Sequence, residues 1–344
     1  MTGNLSIDRR AALRTALGGG VALAAPFVSR GAFGAAFPGS SWPTGTPASV
    51  GLKADGLTKA QKYAQRWGGA GCVIRDGKLV HSWGSLSQLY IVQSATKSFG
   101  SALLGFAVDD RKVDLTAPAQ RYHSGIGAIP STNLAKGWLG EIRVDHLATH
   151  TAGFPKSRLP SALSCEPGTG YIYSDGGTNW LAALLTKVYG QDLRTLAQAR
   201  LFGRIGVPST AAKWAVMDPQ YQLPPTCRFN GGLQANVDTM ARLGYLYLNN
   251  GNWAGDQIIS SAYVKLSTSS YQARIPVSHK YAGLLWWVTS INKVPCYYSA
   301  GLYANHTFVF PSLNMVVVRV GTSGWDQYGS ATNTFLQPIV AAAT

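Results

Sequence analysis

The chain has 344 residues, and 30 Lys and Arg against 15 Asp and Glu give it a formal net charge of +15. Hydrophobic residues make up 46% of the sequence and charged residues only 13%, which excludes an intrinsically disordered polyelectrolyte. Among the acidic residues only Glu141 and Glu166 are glutamates, so a catalytic pair of glutamates on one helix is excluded and a carboxylate-rich metal site is disfavoured.

The first 36 residues have the pattern of an export signal. Arg9 and Arg10 form a twin-arginine pair, followed by an uncharged run over 15–29 and small residues at 34–36. That run is shorter than the roughly 20 apolar residues needed to span a bilayer. We therefore expect export by the twin-arginine route, to a periplasm or outside the cell, with no stable membrane span. Without this segment the net charge is +12.

The predicted elements place strands at both ends of the chain and helices in the middle. A helix over 57–67 precedes strands over 70–75 and 78–83, which Asp76-Gly77 joins as a tight hairpin. Apolar residues at helical spacing predict the next helix over 94–109. Further helices are predicted over 179–189, 193–202, 236–249, 260–267 and 332–343, and further strands over 284–289, 296–300, 307–310 and 315–320.

This order predicts an α+β fold in one domain over 37–344. One antiparallel sheet is built from both ends of the chain and flanked by helices, and a mainly helical lobe is inserted between its parts. The expected α/β lobe covers about 37–105 and 276–344, and the helical lobe about 106–275.

The positive charge does not indicate a nucleic-acid-binding protein. The basic residues are scattered, as Arg204 and Lys213 are, and no run of them exceeds two. Nucleic-acid binding requires clustered basic residues with interleaved aromatics or a recognisable motif. We expect a solvated basic surface and no nucleic-acid partner.

The histidines and cysteines do not form a metal-binding pattern. His146 and His150 are four residues apart, but no glutamate lies between them as in a zinc-protease helix. The four cysteines lack the close spacing of zinc or redox motifs. We therefore expect no metal and no cofactor, and structural roles for both histidines.

The even number of cysteines permits disulfides in an oxidising compartment, with three possible connectivities. Cys72 and Cys296 lie in predicted strands, where a free thiol packs as a small apolar group. Cys165 and Cys227 lie in predicted loops. If one bridge forms, we expect it between Cys165 and Cys227.

A serine nucleophile is indicated by the spacing Ser-x-x-Lys. The glycine-flanked serine of α/β-hydrolases is absent, but Ser-x-x-Lys occurs at Ser94–Lys97 and at Ser290–Lys293. Ser94 begins a predicted helix, where one turn brings Lys97 to the same face and the helix N-terminus favours an oxyanion. Apolar surroundings are expected to lower the pKa of Lys97, so that a neutral amine accepts the serine proton. The second match lies in a turn and is interpreted as chance.

Tyr173 is the candidate for a further proton-transfer group. It lies in the glycine-rich segment 167–175, and a tyrosine flanked by two cations can ionise and act as a base. From this segment alone, a packed aromatic residue remains the alternative.

The order of these segments resembles the serine β-lactamase/penicillin-binding-protein superfamily, in its class C β-lactamase-related branch. That branch also contains esterases, D-aminopeptidases and 6-aminohexanoate-dimer hydrolases. The resemblance extends from about Leu52 to Gly321, and its supporting segments are 147–155, 231–233, 238–244 and 297–320.

The resemblance implies catalytic roles for three residues. Ser94 would be the acylated nucleophile, Lys97 its proton acceptor, and Tyr173 the general acid and base of the Tyr-x-Asn motif. Asp175 occupies the third position of that motif, where the family more often has an asparagine that binds the substrate amide.

The resemblance also assigns substrate-binding positions near the end of a late strand. The third motif of the family aligns with Ser299-Ala300-Gly301, but its cation is missing here. Because that cation helps β-lactamases hold the substrate carboxylate, its loss argues against efficient β-lactam turnover. Gly301 lets the substrate approach the strand, and the N–H groups of Ser94 and Leu302 would form the oxyanion hole.

We therefore predict an exported serine hydrolase that cleaves a small-molecule ester or non-lactam amide through an acyl-enzyme on Ser94. The alternatives are a β-lactamase or D-Ala-D-Ala carboxypeptidase/D-aminopeptidase, and a non-catalytic envelope binding protein. Aromatic residues near the later motifs offer an apolar acyl pocket or pack the sheet; they are Trp286, Trp287, Tyr297, Tyr298 and Tyr303.

Overall fold

The fold is that of a computed structural model, which describes residues 36–219, 222, 223, 225–280, 282–325 and 330–344. The predicted export signal lies outside these ranges except for its last residue. The α-helices are α1 (Ala54–Ala64), α2 (Thr96–Asp109), α3 (Thr132–Ala135), α4 (Val144–Ala148), α5 (Asp175–Tyr189), α6 (Leu193–Ala197), α7 (Val237–Leu248), α8 (Ser261–Ser267) and α9 (Ser330–Ala343).

A six-stranded antiparallel sheet brings the two ends of the chain together. Its order is β2-β1-β11-β10-β9-β8, so strands from the beginning of the chain pair with strands from its end. The strands are β1 (Ala70–Arg75), β2 (Lys78–Trp83), β8 (Trp287–Ile291), β9 (Val294–Gly301), β10 (Asn305–Phe310) and β11 (Met315–Val320). The predicted α+β architecture is therefore confirmed.

Five shorter strands lie outside this sheet. They are β3 (Tyr90–Ile91), β4 (Ala212–Trp214), β5 (Leu233–Ala235), β6 (Asn252–Trp253) and β7 (Asp256–Gln257). The strand β5 lies between β3 and β4 in a small sheet, and β6 pairs with β7. The β3–β5 pairing holds the segment that leads into α2 against the helical part of the chain.

The predicted β1–β2 hairpin is present, and its turn follows from two residues. Asp76 and Gly77 have φ angles of 52° and 73°. Two consecutive positive φ values are typical of the turn that matches the right-handed twist of paired strands. Aspartate and glycine tolerate this conformation better than most residues, which is why the dipeptide predicts the turn.

Side chains on alternate residues of the sheet pack into two different cores. Val317 lies in a cluster with Leu57 of α1 and Phe335 of α9, so the terminal helices cover one face of the sheet. Val316 packs on the other side, in the cluster that contains Leu243 of α7. Each fully buried valine contributes about 1.5 kcal/mol from removal of its apolar surface from water.

The central helix α2 fixes the segment before β8, which explains a difference from the predicted strand. Ser101 Oγ donates to the Leu284 carbonyl at 2.7 Å, and Ser98 Oγ donates to the Leu285 carbonyl at 2.8 Å. Leu285 also has a φ of 59°, which is incompatible with an extended strand. The prediction of a strand from Leu284 is therefore wrong at its start, and the strand begins at Trp287.

The helix α5 begins four residues earlier than predicted, and this shift affects Asp175. Ser174 caps the helix, because its Oγ accepts a hydrogen bond from the Gly177 N–H at 2.8 Å. Two glycines in the first turn weaken the helical signal in the sequence. The side-chain cap makes the helix start at Asp175 despite them.

The expected disulfide is not present, and all four cysteines are free. Cys227 is fully buried, forms an isolated β-bridge with Val216, and has its thiol pKa raised well above the ordinary value by burial. Cys165 is half-buried and lies against Gly153 in a different loop. The prediction of a Cys165–Cys227 bridge is therefore wrong.

Candidate active site

Ser94 lies at the entrance to α2, as the spacing predicts. It occupies the 3-10 turn Gln93–Ala95, directly before the helix, and its side chain is half-buried. Gln93 has a φ of 55°, a left-handed conformation that is costly for a residue with a side chain. The Thr96 hydroxyl donates to the Gln93 carbonyl at 2.6 Å and holds this turn. Strain is therefore concentrated next to Ser94.

Lys97 lies one helical turn from Ser94 and is only 4% exposed. Its Nζ donates to Ser94 Oγ at 3.1 Å, to Asp175 Oδ1 at 2.8 Å and to the Asn230 carbonyl at 2.9 Å. The three hydrogens of an ammonium group are thereby all used. Ser94 Oγ in turn donates to the Asn230 carbonyl at 3.3 Å.

The pKa of Lys97 is raised, opposite to the expectation from sequence. Burial by itself lowers this pKa, but the electrostatic interactions and hydrogen bonds with Tyr173 and Asp175 outweigh it. The expectation of apolar surroundings failed because the carboxylate comes from α5, 78 residues away in the chain. Lys97 is therefore an ammonium in the resting site.

Tyr173 lies between two lysine amines. Lys97 Nζ is 4.8 Å and Lys156 Nζ is 4.6 Å from the centroid of its ring. The ring of His150 lies 4.5 Å away, and Trp287 stacks on the other side with centroids 6.0 Å apart. The tyrosine flanked by two cations that the sequence suggested is present, and Lys156 supplies the second cation.

Asp175 uses both carboxylate oxygens for ion pairs. Oδ1 accepts from Lys97 at 2.8 Å, and Oδ2 accepts from Lys156 at 2.6 Å. Burial alone raises the pKa of Asp175, but the two lysines outweigh it and hold the pKa below its ordinary value. The carboxylate is therefore paired with two lysine ammonium groups of the protein, and it also lines the cleft described below. We refer to Ser94, Lys97, Tyr173 and Asp175 as the Ser94 cluster.

The residues expected to bind substrate at the end of β9 differ in their access to the cleft. Ser299 is fully buried, and its Oγ accepts a hydrogen bond from the Thr307 N–H of β10 at 3.2 Å. It is not among the residues that line the cleft described below. Leu302 is 48% exposed and does line that cleft.

Gly301 packs against the backbone of the turn that carries Ser94. A Cβ atom on Gly301 would overlap the carbonyl oxygen of Val92 and lie 3.1 Å from the Ala95 nitrogen. Only glycine permits this approach, which sets the distance between the end of β9 and Ser94.

The turn after Gly301 has strained backbone angles and is fixed by side chains of β10 and β11. Tyr303 and Ala304 have φ angles of 64° and 56°. Asn305 Nδ2 donates to the Leu302 carbonyl at 2.7 Å. The buried guanidinium of Arg319 donates to the Tyr303 carbonyl. These two side chains fix the backbone at Leu302.

For the ester hydrolysis that the sequence predicts, Gly301→Ala is expected to lower kcat/KM by about 10²-fold, because a shift of about 1 Å near the reacting atoms costs that much. The added methyl group must push β9 away from Val92. The matched control is Gly140→Ala, since a Cβ at Gly140 meets no atom within 4 Å. Equal kcat/KM for both variants, measured with p-nitrophenyl acetate, would contradict this role of Gly301.

An open cleft of about 1640 Å³ contains Ser94, Tyr173 and Asp175 in its lining. Apolar side chains at its surface are well exposed: Ile91 by 51% and Leu159 by 46%. This volume exceeds the roughly 300–1,000 Å³ of ordinary small-molecule pockets.

The aromatic residues near the later motifs divide between cleft and core. Trp287 and Tyr298 line the cleft. Trp286 and Tyr297 belong to the buried core instead, where their rings contact each other at 5.5 Å. Part of the set thus lines the cleft and part packs the sheet, whereas Tyr303 is 39% exposed and does neither.

His146 and His150 have structural partners. His146 Nδ1 accepts from the Arg143 N–H at 3.3 Å, and His150 Nδ1 accepts from the Ser174 N–H at 3.1 Å. Burial lowers the pKa of His146 to about 4, whereas that of His150 is lowered to about 3. Both are neutral, and His150 supports the loop that carries Tyr173.

Within the ranges that the structure describes, no group of three or more His, Cys, Asp or Glu could hold a metal ion.

The sequence was compared with models of known protein families, and the comparison identifies its family. The family model described as Beta-lactamase matches residues 56–335. The chain belongs to the beta-lactamase family. The matched range of this beta-lactamase family member contains the whole Ser94 cluster and the end of β9. No curated protein matches the sequence significantly.

Solved structures with the same fold come from several kinds of beta-lactamase relative. A protein from Bacillus anthracis assigned as a 6-aminohexanoate-dimer hydrolase is 18% identical, with a TM-score of 0.64 and coverage of 82% of this chain and 80% of that one. The hydrolase EstCE1, described as having promiscuous acyltransferase activity, is 14% identical with a TM-score of 0.60, covering 84% and 98%. A penicillin-binding protein from Bacillus halodurans is 16% identical with a TM-score of 0.60, covering 82% and 98%.

Two contributors to the candidate site were not predicted from the sequence. Lys156 directly follows the matched segment 147–155, but no spacing relates it to Tyr173. Asn230 contributes its backbone carbonyl, which any residue type could supply, so the sequence gives no signal for it.

None of the helices in the described parts of the chain is long and apolar enough to cross a bilayer.

Proposed function

We propose that the chain is an exported serine hydrolase that cleaves a small-molecule ester or non-lactam amide through an acyl-enzyme on Ser94. The observation that carries the proposal is the 3.1 Å hydrogen bond between Lys97 Nζ and Ser94 Oγ beside Tyr173, in the lining of an open cleft. A nucleophile within hydrogen-bond distance of its activating group, oriented in turn by a third group, is typical of covalent catalysis.

In the first step, Ser94 Oγ attacks the substrate carbonyl carbon. Its proton passes to Lys97 and Tyr173 in the form of the pair that has already lost one proton; we treat the two groups as one titrating pair because their charges interact strongly. The oxyanion is stabilised by backbone N–H groups, assigned to Ser94 and Leu302. When the bond to the leaving group breaks, Tyr173 protonates the leaving oxygen or nitrogen.

In the second step, water attacks the acyl group on Ser94. The same pair accepts the proton of the water and returns a proton to Ser94 Oγ as the serine ester breaks. The acid product then leaves and the site regains its starting protonation state. No metal or cofactor is required for this sequence of steps.

Esters and non-lactam amides are favoured over β-lactams by the third motif. Ser299 is neutral and fully buried, so it offers no cation to a substrate carboxylate. The names of two solved relatives, a 6-aminohexanoate-dimer hydrolase and a hydrolase with acyltransferase activity, support amide or ester cleavage. A β-lactamase or D-Ala-D-Ala carboxypeptidase/D-aminopeptidase is the second candidate, since the nucleophile and tyrosine would be shared.

A substrate panel tests the proposal. The protein without residues 1–36 is assayed with p-nitrophenyl butyrate, 6-aminohexanoate dimer and nitrocefin. We expect hydrolysis of the ester or the dimer with kcat/KM at least 10²-fold above that for nitrocefin, because loss of one charged contact typically costs about 2–3 kcal/mol. Preferred turnover of nitrocefin would support the second candidate. A folded protein inactive on all three would favour a binding protein.

Export is tested separately from catalysis. The full-length chain is expressed in a bacterium with a functional twin-arginine pathway, and Arg9→Lys/Arg10→Lys serves as the comparison. We expect the mature protein outside the cytoplasm, with its N-terminus near residue 37, and retention of the double variant inside. Equal export of both chains would contradict the assignment of the signal.

A further inference from the structure

Two lysines from different parts of the chain contact the ring of Tyr173. Lys97 belongs to the Ser-x-x-Lys motif, whereas Lys156 lies on the loop between α4 and α5 and is 63% exposed along its side chain. Lys156 Nζ lies 4.6 Å from the ring centroid and 2.6 Å from Asp175 Oδ2. One side chain therefore contacts both the phenol and the carboxylate that binds Lys97.

The charge of Lys156 alters the balance of the Ser94 cluster. The ammonium of Lys97 and the carboxylate of Asp175 cancel each other. With Lys156 the group gains one net positive charge, which opposes the negative charge that develops when Tyr173 or the substrate oxygen becomes anionic. At Ser299, where the resemblance places a cation, the side chain is neutral and buried.

The other titratable neighbours do not provide this charge. His150, 4.5 Å from the Tyr173 ring, is neutral because burial lowers its pKa to about 3. Burial also raises the pKa of Tyr171, so that residue stays uncharged. His279 also lines the cleft, where its ring contacts Tyr171 at 5.2 Å and Trp287 at 6.0 Å.

We propose that Lys156 is a positioning residue of the active site, in place of the cation that the third motif lacks. Its amine holds Asp175 Oδ2 so that Oδ1 stays directed at Lys97, and its charge stabilises the Ser94 cluster after loss of a proton. This inference rests on the proposed function, since it assigns Lys156 a part in the same proton transfer.

The test is Lys156→Met, which keeps most of the length of the side chain and removes its charge. We expect kcat/KM for p-nitrophenyl acetate to fall about 10-fold. This is the effect of removing a positive charge that is partly screened by solvent from beside a group that becomes negative in the reaction. The acid limb of the pH profile should move upward by about one unit, because removing a positive charge makes a proton harder to release.

The chain offers a matched control for the loss of a lysine that lies over an aromatic ring. Lys136 Nζ lies 4.7 Å from the centroid of Trp138, outside the cleft lining. Lys136→Met should leave both kcat/KM and the pH profile unchanged. Lys156→Arg keeps the charge and should restore activity to within about 3-fold of the wild type and return the acid limb to its position.

The wild-type reaction separates this inference from the proposed function. If the wild type neither hydrolyses the ester nor reacts with a fluorophosphonate at Ser94, the proposed function fails and the role of Lys156 fails with it. If the wild type is active and Lys156→Met has the same pH profile, only the role of Lys156 is overturned. The role of Lys156 is also overturned if Lys156→Met loses activity through a lower Tm without any shift of the pH profile.

Discussion

Ser94→Ala is expected to lower ester hydrolysis by about 10⁴-fold or more while leaving the fold intact, as removal of a catalytic serine does in other serine hydrolases. Among the residues that the structure describes, the Ser94 side chain has two hydrogen bonds, at 3.1 Å to Lys97 and at 3.3 Å to the Asn230 carbonyl. Their loss costs little stability, because Lys97 retains Asp175 and Asn230 as acceptors. The measurements are kcat/KM with p-nitrophenyl butyrate and the Tm of both proteins.

The matched control is Ser269→Ala. Ser269 is exposed, and its Oγ donates to the Lys265 carbonyl at 2.5 Å in a part of the chain outside the cleft lining. This variant should keep wild-type activity. Residual hydrolysis by Ser94→Ala at more than about one per cent of the wild-type rate would contradict covalent catalysis through this serine.

Lys97→Met is expected to reduce kcat/KM by about 10³-fold, the range typical of a lost proton-transfer group. It should also destabilise the fold by about 3 kcal/mol, because it removes one partner of a buried ion pair and leaves Asp175 with Lys156 alone. Both effects follow from one residue that activates Ser94 and neutralises Asp175.

A double variant separates the two effects. Lys97→Met/Asp175→Asn removes both charges, so it should recover most of the lost Tm while activity stays low. If the double variant recovered activity, Lys97 would act through the stability of the site and not through proton transfer. Unchanged activity in Lys97→Met would contradict its role outright.

The pH dependence of kcat/KM for the wild type follows from the charges of Lys97 and Tyr173. The raised pKa of Lys97 keeps this group protonated at neutral pH, so the reactive form of the pair is the one that has lost a proton. We therefore expect kcat/KM to rise with pH through the neutral range into the alkaline range. A rate that falls over this interval would contradict proton acceptance by Lys97 and Tyr173.

The sheet could be predicted because its signals are local. Two short apolar segments and the Asp76-Gly77 turn between them specify β1 and β2 with their observed bounds. Strand β11 was predicted over its full observed range for a similar reason, since five of its six residues are apolar. The start of β8 could not be predicted, because it depends on hydrogen bonds from α2 to Leu284 and Leu285.

The site could be predicted only where its residues lie within one turn or one motif. Ser94 and Lys97 are three residues apart on one element, so their contact follows from helix geometry. The charge state of Lys97 depends on Asp175, and the second cation on Tyr173 depends on Lys156; both contacts are set by loop packing. Family resemblance places a cation at Ser299, but it does not show that another loop supplies one.

The most direct test of the central claim is the mass of the protein during turnover. Wild-type protein is mixed with excess p-nitrophenyl butyrate, quenched with acid within milliseconds to seconds, and analysed intact and after proteolysis. The proposed mechanism predicts a butyryl adduct on the peptide that contains Ser94 and none on Ser94→Ala. Full hydrolysis by the wild type without an adduct at any time, or an adduct on a different residue, would contradict an acyl-enzyme on Ser94.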